Sequence, residues 1–283
     1  MAQKLYDNLK IKSFCALEIE WYLLHEVAEN FDLSAIHEKI TVSNELRHEY
    51  INQFKHNCAN IPLHSASIEV GDGQVEAALQ PTCNIAQLLY DAEKLQQIAR
   101  QTAQKMQLIT CFEAKPFPQA HGNGLHIHIH LEDFTGQQLF WLEEGEISEY
   151  LGYAIAGLLT NMQLDLPIFA GSEHAMQRYQ SGFNAPTNIS WGFNNRTTAL
   201  RLPDNVGHVT GLEAILQMRS EAHTRRYKRI EHRVPSAEAD LSAVLEAILT
   251  AIYDGITNKL PHPAPIHGNA YDAGYELISL TAT

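Results

Sequence analysis

The sequence predicts an α+β fold built on a largely antiparallel sheet, and three observations carry that expectation. Strand-like and helix-like segments are mixed along the chain without a βαβ rhythm. The run Leu125-His126-Ile127-His128-Ile129-His130-Leu131 alternates with the period of two that marks a strand with one polar face. Two long segments, 85–106 and 239–256, carry the apolar spacing of amphipathic helices. No internal repeat or Pro/Ser-rich linker marks a boundary, so residues 1–283 are expected to form a single domain.

Taken in order, 13–25 reads as a strand, because Leu17, Ile19, Trp21 and Leu23 alternate with Glu18, Glu20 and Tyr22. The stretch 30–63 is more polar, with a helix expected over 44–54. Residues 67–79 read as two short strands around Gly71-Asp72-Gly73. In the helix 85–106, Leu88, Leu89, Ala92, Leu95, Ala99 and Ala103 recur at helical spacing. Strands are expected over 108–115 and 125–131, joined by a Pro- and Gly-rich loop, then a helix over 147–162. The polar, Gly-punctuated stretch 171–186 reads as a surface loop. Short strands over 188–191, 197–202 and 229–234 precede the last helix, 239–256.

Composition narrows the function classes. The 283 residues hold 20 Lys+Arg against 33 Asp+Glu, a net charge of −13, with 45% hydrophobic and 19% charged residues. That apolar content supports a sizeable core and is unlike a disordered chain. The acidic balance argues against nucleic-acid and membrane-surface partners, both of which need a basic face. The N-terminus has no apolar signal core and no stretch is long enough to span a bilayer, so a cytoplasmic protein is expected. Cys15, Cys58, Cys83 and Cys111 show no paired spacing, and reduced thiols are the plain reading.

Chemistry-bearing residues cluster on strands. Alternation projects Glu18 and Glu20 from one face, while Leu17, Ile19 and Trp21 point to the other. Glu69 and Glu76 flank a Gly-rich turn, and Glu231 lies between Arg229 and Arg233 on one strand face. Neighbouring carboxylates repel unless a cation separates them; any single pair is more simply a solvated strand face. At about 3.3 Å per residue, His126 and His130 stand roughly 13 Å apart, too far to share an ion, whereas His126 and His128 are close enough. By itself the histidine run reads equally as a zinc site or a polar strand face.

Arg178, Arg196, Arg201, Arg229 and Arg233 all follow Gly171, and each guanidinium offers a planar fork that fits phosphate or carboxylate; surface ion pairing is the bland alternative. The sequence has no Gly-x-x-x-x-Gly-Lys loop, no dinucleotide Gly-x-Gly-x-x-Gly after a strand, no His-Glu-x-x-His and no Gly-x-Ser-x-Gly. A bound nucleotide or phosphate would therefore be held by metals and arginines.

In order, the motifs resemble the catalytic domain of glutamine synthetase: Leu17-Glu18-Ile19-Glu20-Trp21, 69–76, Lys115-Pro116 with 122–128, 185–192, Asn195-Arg196 through Arg201-Leu202-Pro203, 229–233 and the final helix. The resemblance covers 15–256 and implies a curved, mainly antiparallel sheet packed with helices. It implies ATP and two ions, Mg²⁺ or Mn²⁺, one held by Glu20, Glu69 and Glu76, the other by Glu18, His126 and Glu231. It places Arg196, Arg201, Arg229 and His128 at the nucleotide, with Arg196 nearest the transferred phosphoryl, and Gly122, Arg178 and Arg233 at the amino-acid substrate. The implied reaction phosphorylates a glutamate-type carboxylate and then displaces the phosphate with ammonia or an amine.

The departures are specific. Asn184 stands where the family has a glutamate that helps take a proton from ammonium, His121 where it has an asparagine, and His130 where it has a serine. Asn184 cannot act as a base, which implies a primary amine deprotonated by another group, or ammonia supplied neutral. By the same resemblance, the family's small N-terminal domain and C-terminal helical extension are not in this sequence, and a homo-oligomer smaller than a dodecamer is expected. A phosphotransferase that stops before amide formation, or a relative that binds nucleotide and metal with reduced catalysis, are the alternatives. Five glutamates balance five arginines in the expected site, so the −13 belongs to the remaining surface.

Overall fold

The computed structural model describes residues 1–26, 41–140, 148–203, 229–261, 263–272 and 274–281. Its strands are β1 (Ile11–His25), β2 (Leu63–Ile68), β3 (Gln74–Leu79), β4 (Leu108–Cys111), β5 (Leu125–Asp133), β6 (Trp191–Phe193), β7 (Leu200–Leu202) and β8 (Ile230–His232). They form one eight-stranded sheet in the order β2-β3-β1-β5-β8-β7-β6, with β4 pairing the far end of β1. Every pairing is antiparallel except β6 with β7. The expected α+β class and antiparallel sheet are thus observed.

Helices α1 (Ala2–Leu9), α2 (Asn44–Asn57), α3 (Ile85–Lys105), α4 (Glu149–Ala170) and α5 (Leu241–Thr257) complete the described elements, with a 3-10 turn at His174–Arg178. Four helices start at a residue whose side-chain oxygen accepts from a backbone N–H of the first turn: Ser43 for α2, Asn84 for α3, Ser148 for α4 and Asp240 for α5. Alternation divides the sheet into two faces. Leu17, Ile19 and Trp21 of β1, Leu125, Ile127, Ile129 and Leu131 of β5, and Val75 and Ala77 of β3 are buried in a core cluster shared with α2 to α5. The opposite face carries the charged residues. No described helix is long and apolar enough to cross a membrane.

Several boundaries differ from expectation for identifiable reasons. Helix α1 was not anticipated, because Leu5 is its one buried residue and gives no stripe to read. β4 stops at Cys111 rather than residue 115, since the carbonyls of Glu113 and Ala114 accept from the side chain and backbone of Asn123 instead of a strand. Helix α4 runs through Pro167 to Ala170, eight residues past 162, and Gly171 (φ 80°) ends it; Ile147, the expected start, lies outside the described residues, as do 30–40 of the polar stretch. The segment 171–186 is not a plain surface loop, because Ala175, Arg178, Tyr179 and Ala185 are buried. The strand expected over 188–191 is shifted to Trp191–Phe193, and Asn188 makes only an isolated bridge to Ser279. β7 and β8 are three residues each; the Thr197 and Thr198 hydroxyls bond to Asn195, holding a turn where a longer β7 was expected.

Candidate active site

Sheet register brings the acids and histidines together. Glu20 pairs Glu76 across β1 and β3, Glu18 pairs His126 across β1 and β5, His128 pairs Glu231 across β5 and β8, and Glu231 pairs Arg201 across β8 and β7. Residues far apart in sequence therefore form a continuous polar row across one face of five strands. Glu69 joins from the turn between β2 and β3, where its carboxylate accepts from the Val70 N–H at 2.8 Å.

Twelve of the fourteen site residues expected from sequence line one cavity: Glu18, Glu20, Glu69, Glu76, His126 and Glu231 on its acidic side, with Gly122, Arg178, Asn184, Arg196, Arg201 and Arg233 around them. His128 and Arg229 do not line it. They stand behind Glu18, where His128 Nε2 is 3.1 Å from Glu18 Oε2 and Arg229 Nε donates to His128 Nδ1 at 3.1 Å.

Among the described residues, two groups have ligand atoms within 4.8 Å of one another, Glu20 with Glu69 and Glu76, and Glu18 with Glu76 and His126. The first is the trio expected from sequence. The second has Glu76 in place of Glu231, whose two oxygens are engaged by Arg201 at 2.9 Å and Arg233 at 2.5 Å, although Glu231 Oε1 stays 3.7 Å from His126 Nδ1. These donors fit divalent cations. Hard carboxylate oxygens dominate, and His126 Nδ1 is buried without a hydrogen-bond partner, 3.5 Å from Glu18 Oε1.

The electrostatics are those of crowded acids. Burial, then the charges of Glu18, Glu20 and Glu69, push the Glu76 carboxyl up to about 11. Burial and the Glu20 charge raise Glu69 too. Burial also works to raise Glu18, but the imidazoles of His126 and His128 beside it outweigh burial and hold Glu18 well below the usual carboxylate range. At Glu231, burial is overcome by Arg233, the two histidines and Arg201, and the carboxyl falls to about 2. Glu231 is thus the hinge between the acidic row and the arginine side.

The arginine side is partly built into the backbone. Buried Arg178 donates to the carbonyls of Val234 and Arg233 at 2.9 and 3.2 Å, fixing the chain that leaves β8. A Cβ at Gly122 would meet Ala114 O at 2.5 Å and Arg178 Cγ at 2.8 Å, so only glycine lets this loop lie against the arginine. Three successive carbonyls of the 183–185 loop are pinned, Phe183 by His121 Nδ1 (3.1 Å), Asn184 by Arg233 Nη2 (2.9 Å) and Ala185 by Tyr271 Oη (2.7 Å). Asn184 itself adopts a left-handed φ of 55°.

Sequence reasoning passed over Gln74, whose buried amide reaches Glu20 Oε2 (3.4 Å), Gly122 O (3.1 Å) and Asn123 Oδ1 (2.9 Å), tying the acidic row to the glycine loop. The signal was present, since a period of two puts Gln74 on the same face as Glu76. Phe183 and Ser67 also line the cavity. Neither stood out, because an aromatic in a loop and a serine in a strand are common.

The site is an α+β sheet whose row of acids faces arginines in one cavity, with two groups among the described residues that could hold metal ions. The chain belongs to the glutamine synthetase family, since the model for the glutamine synthetase catalytic domain matches residues 2–280. It is 32% identical over 212 residues to the gamma-glutamylputrescine synthetase PuuA of Escherichia coli K12, covering 75% of this chain and 41% of that protein. It is 29% identical over 282 residues to the glutamine synthetase of Pyrococcus horikoshii, covering 94% of this chain and 56% of that one. The chain thus spans about half the length of these relatives. Among solved structures, a GmaS/ADP complex matches with a TM-score of 0.73 at 18% identity, covering 97% of this chain and 62% of that one, a likeness of fold.

Proposed function

We propose that the chain, as one catalytic domain over 1–283, is an ATP-dependent ligase that activates a glutamate-type carboxylate as an acyl phosphate and joins it to ammonia or an amine. The observation that carries the reading is the seam at Glu231, where an acidic row suited to divalent cations meets arginines suited to phosphate and carboxylate inside one cavity. The family and the amine-ligating name of the Escherichia coli relative support it. One apolar cluster running from Leu5 to Leu280 supports a single domain.

In this reading Glu20, Glu69 and Glu76 hold one Mg²⁺ or Mn²⁺, and Glu18 and His126 hold the second with Glu231, helped by Glu76. Bound there, the ions neutralise charge on the phosphoryl group in transit. Arg196 and Arg201 orient ATP phosphates, with Arg229 and His128 at the nucleotide side. Arg233, Arg178 and the Gly122 backbone orient the amino-acid substrate, and preorganised cations of this kind act without reorganising during reaction. Asn184 lies beside the acceptor and contributes its backbone carbonyl to positioning. A cytoplasmic location accords with four unpaired cysteines. A homo-oligomer below dodecamer size belongs to the same reading, and a dodecamer mass in light scattering would reject it.

The test is a mass-spectrometric screen for amide products from ATP, Mn²⁺, glutamate and an amine panel, with Glu231→Ala as the inactive control. ADP formation with an amide product supports the ligase; ADP formation without amide under every amine would replace it by a phosphotransferase.

A further inference from the structure

The loop that carries Asn184 holds a histidine ring against it. His121 Nδ1 lies 3.1 Å from the carbonyl oxygen of Phe183, the residue directly before Asn184. A carbonyl only accepts, so Nδ1 carries the hydrogen of this bond, and the neutral ring keeps its lone pair at Nε2. The ring is half-buried, stands edge-on to Phe183 (centroids 5.8 Å apart, 88°) and lines the same cavity as Asn184 and Arg196. Its position is fixed from both sides, because its own backbone carbonyl accepts from Tyr22 Oη at 2.7 Å and the Phe183 ring is capped by Lys115 Nζ at 3.8 Å.

We propose that His121 is the general base that takes the proton from the acceptor amine. The inference rests on the ligase reading above. The other titratable groups lining this cavity are committed elsewhere: Glu20, Glu69 and Glu76 form one group suited to a cation, Glu18 and His126 form a second with Glu76, Glu231 is held by Arg201 and Arg233, and the arginines are not bases at working pH. Asn184, an amide, has no basic atom. In the step, an ammonium R–NH₃⁺ gives one proton to His121 Nε2. The neutral nitrogen forms a C–N bond to the acyl carbon, and the C–O bond to phosphate breaks with its electron pair leaving on phosphate. The second nitrogen proton leaves on that phosphate as hydrogen phosphate, and His121 returns its proton to solvent.

The test uses His121→Asn and His121→Gln with three acceptors: ammonium, n-propylamine and hydroxylamine. The first two are cations at neutral pH and need deprotonation, whereas hydroxylamine is mostly neutral there and reports acyl-phosphate formation without a base. General-base contributions of about 10² to 10⁴ set the scale, so amide formation from ammonium and propylamine should fall by about 100-fold or more while hydroxamate formation persists. Added imidazole should restore part of the loss. Unchanged propylamide synthesis in both variants overturns the proposal, and so does equal loss of hydroxamate, which would place His121 in activation instead. Absence of hydroxamate from the wild-type protein with ATP, Mn²⁺ and glutamate would instead overturn the ligase reading.

Discussion

His128 bridges Glu18 and Arg229, with its Nε2 at 3.1 Å from the Glu18 carboxylate and its Nδ1 accepting from Arg229 Nε at 3.1 Å. Because the guanidinium can only donate, the imidazole must carry its proton on Nε2 and present it to Glu18. That arrangement orients a carboxylate whose other oxygen faces His126 Nδ1. Groups that orient a metal ligand from behind typically change metal affinity by about 10- to 100-fold. His128→Ala is therefore expected to weaken Mn²⁺ binding by about tenfold or more, read by electron paramagnetic resonance titration of free Mn²⁺ without nucleotide. Wild-type affinity in this variant would mean that Glu18 needs no orienting partner.

Lys115 gives a pH dependence of stability. It is 1% exposed, donates to Ala120 O at 2.5 Å and sits over the Phe183 ring. Burial, and then the Arg178 charge, bring its ammonium down to about 8. An unfolded lysine titrates near 10.4, so between about pH 8 and 10.4 the unfolded chain holds a proton that the folded chain has released. Stability from this group is fully present above the unfolded value and is lost as pH falls through the folded one. Urea denaturation at pH 7.5 and 9.5 should show this rising component, and Lys115→Met should flatten it. A variant whose slope matches the wild type would assign the dependence to other groups.

Helices α4 and α5 meet through two glycines. A Cβ at Gly157 would collide with the backbone carbonyl of Ala251, and one at Gly255 with that of Tyr153. Backbone atoms inside a packed pair cannot rotate away, so Gly157→Ala is expected to cost about 3 kcal/mol or more, at the upper end of overpacking. Gly274, with nothing within 4 Å of its added Cβ, is the control, expected within about 0.5 kcal/mol of wild type. Equal melting temperatures for the two variants would show that the helices separate easily.

These cases show where the fold and site were legible in the sequence. Strand β1 could be read because Leu17, Ile19 and Trp21, at 1, 2 and 0% exposure, sit alternately with acids. β5 could be read for the same reason, and α3 and α5 because their stripes are long. Helix α1 is hidden, β6 is shifted and β7 and β8 lie inside longer expected strands, since the ends of such short strands are set by distant partners that a local pattern cannot reach. The burial of Arg178 and Tyr179 depends on the carbonyls of residues 233 and 234, some 55 positions away. Likewise, the approach of Glu76 to both Glu18 and Glu20 comes from the register of β3 against β1, which spacing along the chain does not encode.

Glu76 is the group on which both candidate ion sites depend, because its carboxylate lies within 4.8 Å of Glu18 and His126 on one side and of Glu20 and Glu69 on the other. Four carboxylates packed this closely oppose folding until cations separate them. Ligands that bind only the folded state stabilise it, by about 2.7 kcal/mol at 100 times the dissociation constant for one site. Mn²⁺ should therefore raise the melting temperature, and chelation with EDTA should reverse the rise. Glu76→Gln relieves the repulsion and removes the shared oxygen donor. Its metal-free form is expected to melt at or above the wild-type temperature, while its Mn²⁺-induced rise should largely disappear. Glu20→Gln, which touches only one group, should keep part of the rise. Calorimetry should give weakened binding of both ions in Glu76→Gln and of one in Glu20→Gln; a full Mn²⁺ response in Glu76→Gln would show that the two groups do not share this residue.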